Sequence, residues 1–194
     1  NQYGFASELK SIYKFPHRKE LIQNFLPGNY MILTNLHSKI TCYLNKYHSL
    51  PYSNNLNLTF DNQLSREIFD NFSNAIKKRV ISTTDRPIGC LLSGGLDSSL
   101  IAGILTTYFR DNNKQLETFS IGFKNSPDLI QAKKVSEFIN SKHHEIIITE
   151  KDMLDNIEHT IYHTETYDIT TIRASIPMYL LSKYIKENTD IKVL

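Results

Sequence analysis

The sequence predicts an α/β protein built on a parallel sheet with helices on both faces, preceded by a β-rich segment. Two observations predict this fold class. From residue 63 onward, short apolar runs alternate with longer stretches of helical periodicity, and such alternation is typical of βαβ units with parallel strands. In residues 1–50, by contrast, two strand patterns follow each other with no helical pattern between them.

The first 50 residues are predicted to be β-rich because residues 30–34 and 40–44 combine aromatic and β-branched side chains with aliphatic ones. A polar hairpin turn at 35–39 separates these strands. Ahead of them, Pro27 and Gly28 occupy the positions that a type II turn favours.

A polar segment separates the two parts of the chain. Residues 51–62 begin with Pro, are rich in Asn and Ser, and show no hydrophobic period over most of their length. Such a stretch is typical of a linker. We therefore expect one domain at 1–50, a linker at 51–62 and a second domain at 63–194.

The elements of the second domain follow from the spacing of its apolar residues. Apolar residues three or four apart predict helices, and short uninterrupted apolar runs predict strands. In chain order, the predicted elements are a helix at 63–81, a strand at 88–92, a helix at 98–110, a strand at 118–123, a helix around 129–139, a strand at 145–149, a helix around 153–161, a helix at 171–187 and the start of a fourth strand at 191–194.

Composition argues against several classes of protein. The net charge is only +2 and Lys and Arg form no concentrated block, so we expect no nucleic-acid partner. No segment approaches the roughly 18 apolar residues of a membrane span, so we expect no membrane insertion. The two cysteines, Cys42 and Cys90, are far apart, which favours a reducing, cytoplasmic location, with Cys90 a buried small hydrophobe.

One pair of histidines has the spacing of metal ligands. His159 and His163 lie four residues apart on a predicted helix. The residue after His159 is Thr160 rather than the Glu of H-E-x-x-H, and no third ligand is evident. We therefore interpret both as ordinary histidines on a helix surface.

The most informative stretch joins the predicted strand at 88–92 to the helix that follows it. Two adjacent glycines let consecutive backbone N–H groups point at a phosphate, and the helix N-terminus adds a positive dipole. Serine hydroxyls can donate to phosphate oxygens, whereas Asp97 needs a cation such as Mg²⁺ between itself and a phosphate. The residues of this predicted phosphate loop are Ser93, Gly94, Gly95, Leu96, Asp97, Ser98 and Ser99.

Two other interpretations of this loop are weaker. No lysine lies between Arg86 and Lys114, so the loop is not the G-x-x-x-x-G-K-[ST] cradle. A plain strand–turn–helix junction with Asp and Ser as capping residues explains single positions but not the whole pattern. S-G-G-x-D-S instead resembles the PP-loop ATP pyrophosphatases, which implies an adenine nucleotide alpha-hydrolase-like fold and cleavage between the α- and β-phosphates.

Further motifs narrow the resemblance to the asparagine synthetase family. Residues 165–175 read E-T-Y-D-I-T-T-I-R-A-S, which is similar, nearly residue for residue, to a signature of that family. Residues 118–128 and 143–145 look like its second strand and loop and the start of its third strand. Residues 5–10 and 25–30 look like the end of its glutaminase domain, so residues 1–50 are expected to be the closing portion of a glutamine amidotransferase domain.

The resemblance implies a reaction and a set of residues. Aspartate would be activated by ATP as β-aspartyl-AMP, and ammonia from glutamine would displace AMP to give asparagine. Leu92 and Ile121 fall on the family's adenosine-contact positions, and Asp97 on a Mg²⁺ ligand. The positions implicated in handling the acyl-adenylate and pyrophosphate are matched by Thr170, Thr171 and Arg173. Helix capping by Thr170 and a solvated loop at Glu165 and Asp168 are the structural alternatives.

The resemblance also sets expectations for parts of the family pattern that are not in these 194 residues. A second nucleotide-binding stretch, S-G-E-G-x-D-E, is expected just past Leu194, and the family's glutaminase nucleophile is an N-terminal cysteine, a residue that Asn1 is not. On that expectation this piece alone makes no asparagine, and a homodimer is expected of the full-length enzyme. A β-lactam synthetase-like amidating enzyme and a non-catalytic ATP-binding module are the alternatives.

Overall fold

The computed structural model describes residues 4–12, 22–36, 39–49, 62–83 and 85–194. Internal contacts divide the chain into two units, Asn1–Thr59 and Phe60–Leu194. Most of the predicted linker at 51–62 lies outside the described residues. Among the described residues, no helix is both long and apolar enough to cross a membrane.

The first unit contains an antiparallel hairpin. Strand β1 spans Asn29–Leu36 and strand β2 spans Lys39–Lys46, with Ile32 opposite Tyr43, so both predicted strands are confirmed and each is longer than predicted. Gly28 precedes β1 with φ +73°, and a Cβ there would lie 2.7 Å from the carbonyl oxygen of His48. Glycine is therefore needed at this turn. A short 3₁₀ helix at Leu9–Ser11 also belongs to this unit.

The second unit alternates helices and strands as predicted. Its elements are α1 Asn62–Ile81, β3 Gly89–Leu91, α2 Leu96–Asp111, β4 Glu117–Phe123, α3 Pro127–Ile139, β5 Lys142–Ile148, α4 Glu150–Asp155, α5 Ile157–Thr164 and α6 Ile169–Asn188.

The sheet of the second unit is parallel, with β4 between β3 and β5. On the other edge of β3, Ile88 forms a parallel bridge with Val193, and the amide of Gly89 donates to the carbonyl of Val193 at 2.9 Å. The chain thus moves outward from β3 to β5 and then returns past β3. The strand order therefore reverses beside β3, which is where ligands bind in open α/β sheets.

Helices cover both faces of this sheet because successive strand residues point to opposite sides. On one face, Cys90 and Leu92 pack with residues of α1, α2 and α3. On the other face, Leu91 packs beside Phe119, which contacts Leu181 and Ile185 of α6. The predicted parallel sheet with helices on both faces is confirmed. Burial raises the pKa of the Cys90 thiol to about 11, consistent with its predicted role as a buried small hydrophobe.

The prediction of one helix around 153–161 is wrong, because the chain forms two short helices there. The break falls at Asn156, whose side-chain amide donates to the carbonyl of Asp152 at 2.8 Å and whose backbone has φ −108° and ψ 10°. Asn side chains compete with the helical backbone for hydrogen bonds. A capping box between Thr149 and Asp152 stabilises the N-terminus of α4 directly after β5.

The histidine pair of α5 packs against an aromatic ring. His163 stacks on Tyr179 of α6 with ring centroids 5.3 Å apart, and His159 lies 6.4 Å from the same ring. Across the part of the chain that the structure describes, no group of three or more His, Cys, Asp or Glu side chains is arranged to hold a metal ion.

Candidate functional site

The predicted phosphate loop lies at the carboxyl end of β3, where the strand order reverses. Strand β3 ends at Leu91 and α2 begins at Leu96, so only four residues connect them. The amide of Leu92 still donates to the carbonyl of Phe119 at 2.8 Å, which holds the start of the loop against β4. The chain therefore passes from a core strand into a helix N-terminus almost directly.

The two glycines of the loop have different conformations. Gly94 has φ +78°, and a Cβ there would lie 2.5 Å from the backbone nitrogen of Ala132 on α3. Gly95 is the N-cap of α2, with φ −72°, and a Cβ there would meet only Ser93 Oγ, at 3.4 Å. Gly94 is thus required by the fold, whereas Gly95 leaves the helix N-terminus without a capping side chain.

Serine hydroxyls organise the loop internally. Ser93 Oγ lies 2.9 Å from Ser98 Oγ and accepts a hydrogen bond from the amide of Gly95 at 3.3 Å. Ser98 Oγ donates to the carbonyl of Gly95 at 3.2 Å and accepts from the amide of Ser93 at 3.3 Å. These bonds hold the turn in one conformation, and they use the amides of Ser93 and Gly95.

Ser99 Oγ differs from its neighbours. It is buried and has no hydrogen-bond partner among the described residues. A buried polar atom without a partner is uncommon and calls for an explanation. A ligand oxygen at the loop would provide one.

Asp97 is exposed in the first turn of α2, next to the loop. A single carboxylate beside a phosphate cradle fits Mg²⁺, which is usually held by one or two carboxylates together with substrate phosphates. Leu96, beside it, is 84% exposed. A leucine this exposed at the mouth of the loop contributes nothing to the core.

The two positions matched to adenosine contacts lie on opposite faces of the sheet. Leu92 is 1% exposed and packs with Cys90 on the face of α2 and α3, so a contact with a nucleotide would have to come from its backbone. Ile121 of β4 is partly buried and packs on the face covered by α6. Leu92 therefore also serves as a core residue.

The signature at 165–175 forms the beginning of α6. Asp168 is its N-cap, and Asp168 Oδ2 accepts hydrogen bonds from both the amide and the Oγ1 hydroxyl of Thr171, each at 2.7 Å. These two bonds lower the pKa of the Asp168 carboxyl. The alternative of Thr170 as the cap is therefore wrong, because α6 already begins at Ile169. Asp168 is exposed and precedes the helix, as the solvated-loop alternative expects, but it also caps α6.

The start of α6 lies at the same edge of the sheet as the phosphate loop. Helix α6 leads into Ile191, and the segment after it runs parallel to β3, with the amide of Lys192 donating to the carbonyl of Pro87. The end of α6 is therefore at the amino edge and its first turns are at the carboxyl edge. Thr170 and Arg173 are exposed there, and their side chains have no hydrogen-bond or ion-pair partner within the described residues.

A polar cluster that the sequence did not indicate lies between β4 and β5. The ring of His143 bridges two hydroxyls, with Nδ1 2.9 Å from Thr118 Oγ1 and Nε2 3.0 Å from Ser120 Oγ. Desolvation lowers the pKa of His143, with Glu145 opposing and His144 and Lys133 reinforcing this shift. The cluster is on the face of α3. His143 is more than 20 residues away in sequence from both hydroxyls, so no local motif indicates the cluster.

Comparisons with known proteins agree with the motifs. Residues 67–194 match the Asparagine synthase family. The chain is 41% identical over 208 residues to asparagine synthetase (glutamine-hydrolyzing) of Gallus gallus, covering 98% of this chain and 37% of the relative. It is 52% identical over 125 residues to the protein of the same name from Mus musculus, covering 63% of this chain and 22% of the relative.

Among solved structures, the NH3-dependent NAD synthetase from Campylobacter jejuni aligns with a TM-score of 0.43 and 20% identity, covering 64% of this chain and 53% of that one. The chain spans 37% of the length of the Gallus gallus relative.

Proposed function

The chain belongs to the asparagine synthase family, and on that premise we propose that it is the ATP-using part of a glutamine-dependent asparagine synthetase. In the proposed reaction, an oxygen of the aspartate side-chain carboxylate bonds to the α-phosphorus of ATP. The bond from that phosphorus to the β-phosphate bridge breaks and pyrophosphate leaves. Ammonia derived from glutamine then attacks the acyl carbon of β-aspartyl-AMP, and AMP leaves with the bonding electrons as asparagine forms.

The observation that carries the proposal is the loop at residues 93–99, at the carboxyl end of β3. The backbone N–H groups that the serines leave free, the N-terminus of α2 and the hydroxyl of Ser99, which has no partner among the described residues, are suited to hold a pyrophosphate group. Fixed donors of this kind stabilise negative charge as it develops on the leaving group, with little reorganisation. The loop's internal serine bonds support the same role by keeping the donors in place.

Mg²⁺ is proposed to be held by Asp97 together with phosphate oxygens, and when bound it would neutralise charge on the triphosphate. Arg173 and Thr170 are proposed to contact the acyl-adenylate or the pyrophosphate, because both are exposed at the carboxyl edge and neither side chain has a partner among the residues that the structure describes. A guanidinium can grip a phosphate or a carboxylate with two parallel hydrogen bonds. The backbone of Leu92 and the side chain of Ile121 are proposed to contact the adenosine.

The substrates of the full-length protein are then ATP, aspartate and glutamine or ammonia. A cytoplasmic location and a homodimer of the full-length protein are part of the same proposal. No nucleic-acid or membrane partner is invoked.

The experiment uses the full-length protein that contains this chain. It is incubated with ATP, Mg²⁺, aspartate and either glutamine or ammonium, and pyrophosphate, AMP and asparagine are quantified against a sample without aspartate. Equal amounts of the three products, dependent on aspartate, are expected. ATP binding without pyrophosphate release would identify a non-catalytic module instead. Pyrophosphate release that requires a different carboxylate would indicate another amidating enzyme.

A further inference from the structure

The carboxylate of Asp168 accepts two hydrogen bonds from one neighbour, Thr171. Its Oδ2 atom accepts from both the amide and the hydroxyl of Thr171, at 2.7 Å each, and its own amide donates to Thr166 Oγ1 at 3.2 Å. Asp168 thereby caps α6 and sets the side-chain torsion of Thr171.

This geometry separates the two adjacent threonines. The hydroxyl hydrogen of Thr171 is used by Asp168, so Thr171 can offer a ligand only an acceptor oxygen. Thr170 is exposed, and its hydroxyl has no partner within the described residues. Its hydroxyl hydrogen remains available to a ligand oxygen.

We propose that Asp168 is a positioning residue for the adenylation site, which acts through Thr171 to hold the first turn of α6 so that Thr170 and Arg173 present their donors correctly. The inference rests on the proposed function, because it assigns α6 to that site. In this assignment Thr171 is a partner of the cap, and Thr170 is the threonine that contacts substrate.

The chain contains a matched control for this contact. In α4, Thr149 and Asp152 make the same two bonds with the capping roles reversed, because Thr149 is the N-cap and Asp152 is the third helical residue. Thr149 Oγ1 donates to Asp152 Oδ2 at 2.6 Å, and the amide of Thr149 donates to the same oxygen at 2.8 Å. Both carboxylates are exposed and both lie at a helix N-terminus. Asp152 belongs to a different helix, so its loss reports only the structural value of such a pair.

The experiment compares Asp168→Ala, Asp168→Asn, Thr171→Val and Asp152→Ala in the full-length protein. Pyrophosphate release is measured against aspartate and ATP concentration, and the unfolding midpoint is recorded for each variant. Both Asp168→Ala and Asp152→Ala should lower the midpoint, and Asp168→Ala should lower it more, because it also removes the N-cap of α6. Only Asp168→Ala should lower kcat, by about 10–100-fold, as expected when a reacting group is misplaced by a fraction of its contact distance. The KM for ATP should change less than kcat, because the loop after β3 is untouched.

Two further results complete the test. Asn retains an acceptor oxygen and caps well, so Asp168→Asn should recover most of the lost kcat. Thr171→Val should resemble Asp168→Ala, and the double variant should be no worse than either single variant because one contact is lost in each case. Additive losses, or a kcat for Asp168→Ala equal to that of Asp152→Ala, would overturn the positioning role alone. A wild-type protein that releases no pyrophosphate with aspartate would overturn the proposed function and this inference with it.

Discussion

At the residue scale, the adjacent glycines of the phosphate loop allow backbone strain and ligand approach to be tested separately. Gly94→Ala forces a left-handed φ of +78° on alanine and drives its Cβ into the backbone of α3. We expect a loss of about 1–3 kcal/mol in the free energy of unfolding, typical of overpacking. Gly95→Ala meets only ordinary contact and should leave stability nearly unchanged while weakening ATP binding, because its methyl group stands where phosphate would approach.

Chemical denaturation and ATP titration of the two variants check this prediction. Equal stability losses in Gly94→Ala and Gly95→Ala would show that the close approach to α3 does not matter for folding.

The buried, unpartnered hydroxyl of Ser99 has a counterpart elsewhere in the chain. Ser73 Oγ on α1 is also buried and without a partner among the described residues. Replacing either serine with alanine should not destabilise the protein, since no hydrogen bond is lost. Ser99→Ala should reduce kcat/KM for ATP by roughly 10–100-fold, the value of one hydrogen bond to a charged group, whereas Ser73→Ala should not. Steady-state kinetics with ATP as the varied substrate distinguish the two.

The charge of Asp97 is the test of the proposed metal role. Asp97→Asn keeps the size of the side chain and removes the charge, so adenylation should fall by about 10²–10³-fold. Glu158→Gln removes an exposed acidic residue from the first turn of α5 and should have no effect on this step. Pyrophosphate release across a Mg²⁺ titration, beside glutamate production from glutamine, measures both variants. Unchanged pyrophosphate release in Asp97→Asn would leave Asp97 as a helix-terminal residue only.

At the element scale, the hydrophobic period predicted strands and helices well where apolar residues dominate, and less well where polar side chains set the boundaries. Strand β5 begins at Lys142, three residues before the predicted start, because His143 and His144 make cross-strand contacts with β4. The polar start of this strand has no period-2 apolar pattern. Its partners are more than 20 residues away in sequence, so a local pattern could not reveal the pairing.

The candidate site, too, could be predicted from the sequence only in part. The phosphate loop was predictable because strand, glycines and helix follow one another within ten residues. The sequence did not identify Asp168 as the cap of α6, because a capping residue can be assigned only when the first residue of the helix is known. The apolar pattern is compatible with a helix that begins at 169 or at 171, and only the first start makes Asp168 the cap. The Asp at 168 followed by Thr at 171 is the sequence signal that could have found it, as a reversed capping box.

The His143 bridge predicts a pH dependence of stability. Burial lowers the pKa of this imidazole in the folded state, so the folded chain binds fewer protons than the unfolded chain just below about pH 6.5. Stability therefore rises with pH in that window. The contribution of His143 is complete above the unfolded pKa and is lost as pH falls through the lower folded pKa.

His143→Gln can still hydrogen-bond to the hydroxyls but cannot titrate, so it should lose less stability than the wild type between pH 7.5 and pH 5. Urea denaturation at a series of pH values measures the difference. Parallel curves for wild type and variant would show that protonation of His143 is not coupled to folding.

At the scale of the whole second unit, strand β3 belongs to two cores at once. Cys90 and Leu92 pack with the helices on one face, and Leu91 packs with Phe119 and α6 on the other. Neither core can lose β3 without exposing apolar residues of the other. We therefore expect the two clusters to unfold together rather than one after the other.

That shared strand makes nucleotide binding a reporter of global folding. Because β3 leads directly into the phosphate loop, a ligand that binds only the folded loop should raise the melting temperature of both cores together. At a concentration 100 times its Kd, ATP with Mg²⁺ would add about 2.7 kcal/mol to the free energy of unfolding. Calorimetry of the full-length protein without aspartate should show this shift, reduced in Gly95→Ala. Hydrogen exchange should slow at Leu181 and Ile185 of α6 as well as in α2. Slowing confined to α2 would mean that the two cores open independently. ATP binding at the loop would then protect from exchange only the core on the face covered by α2.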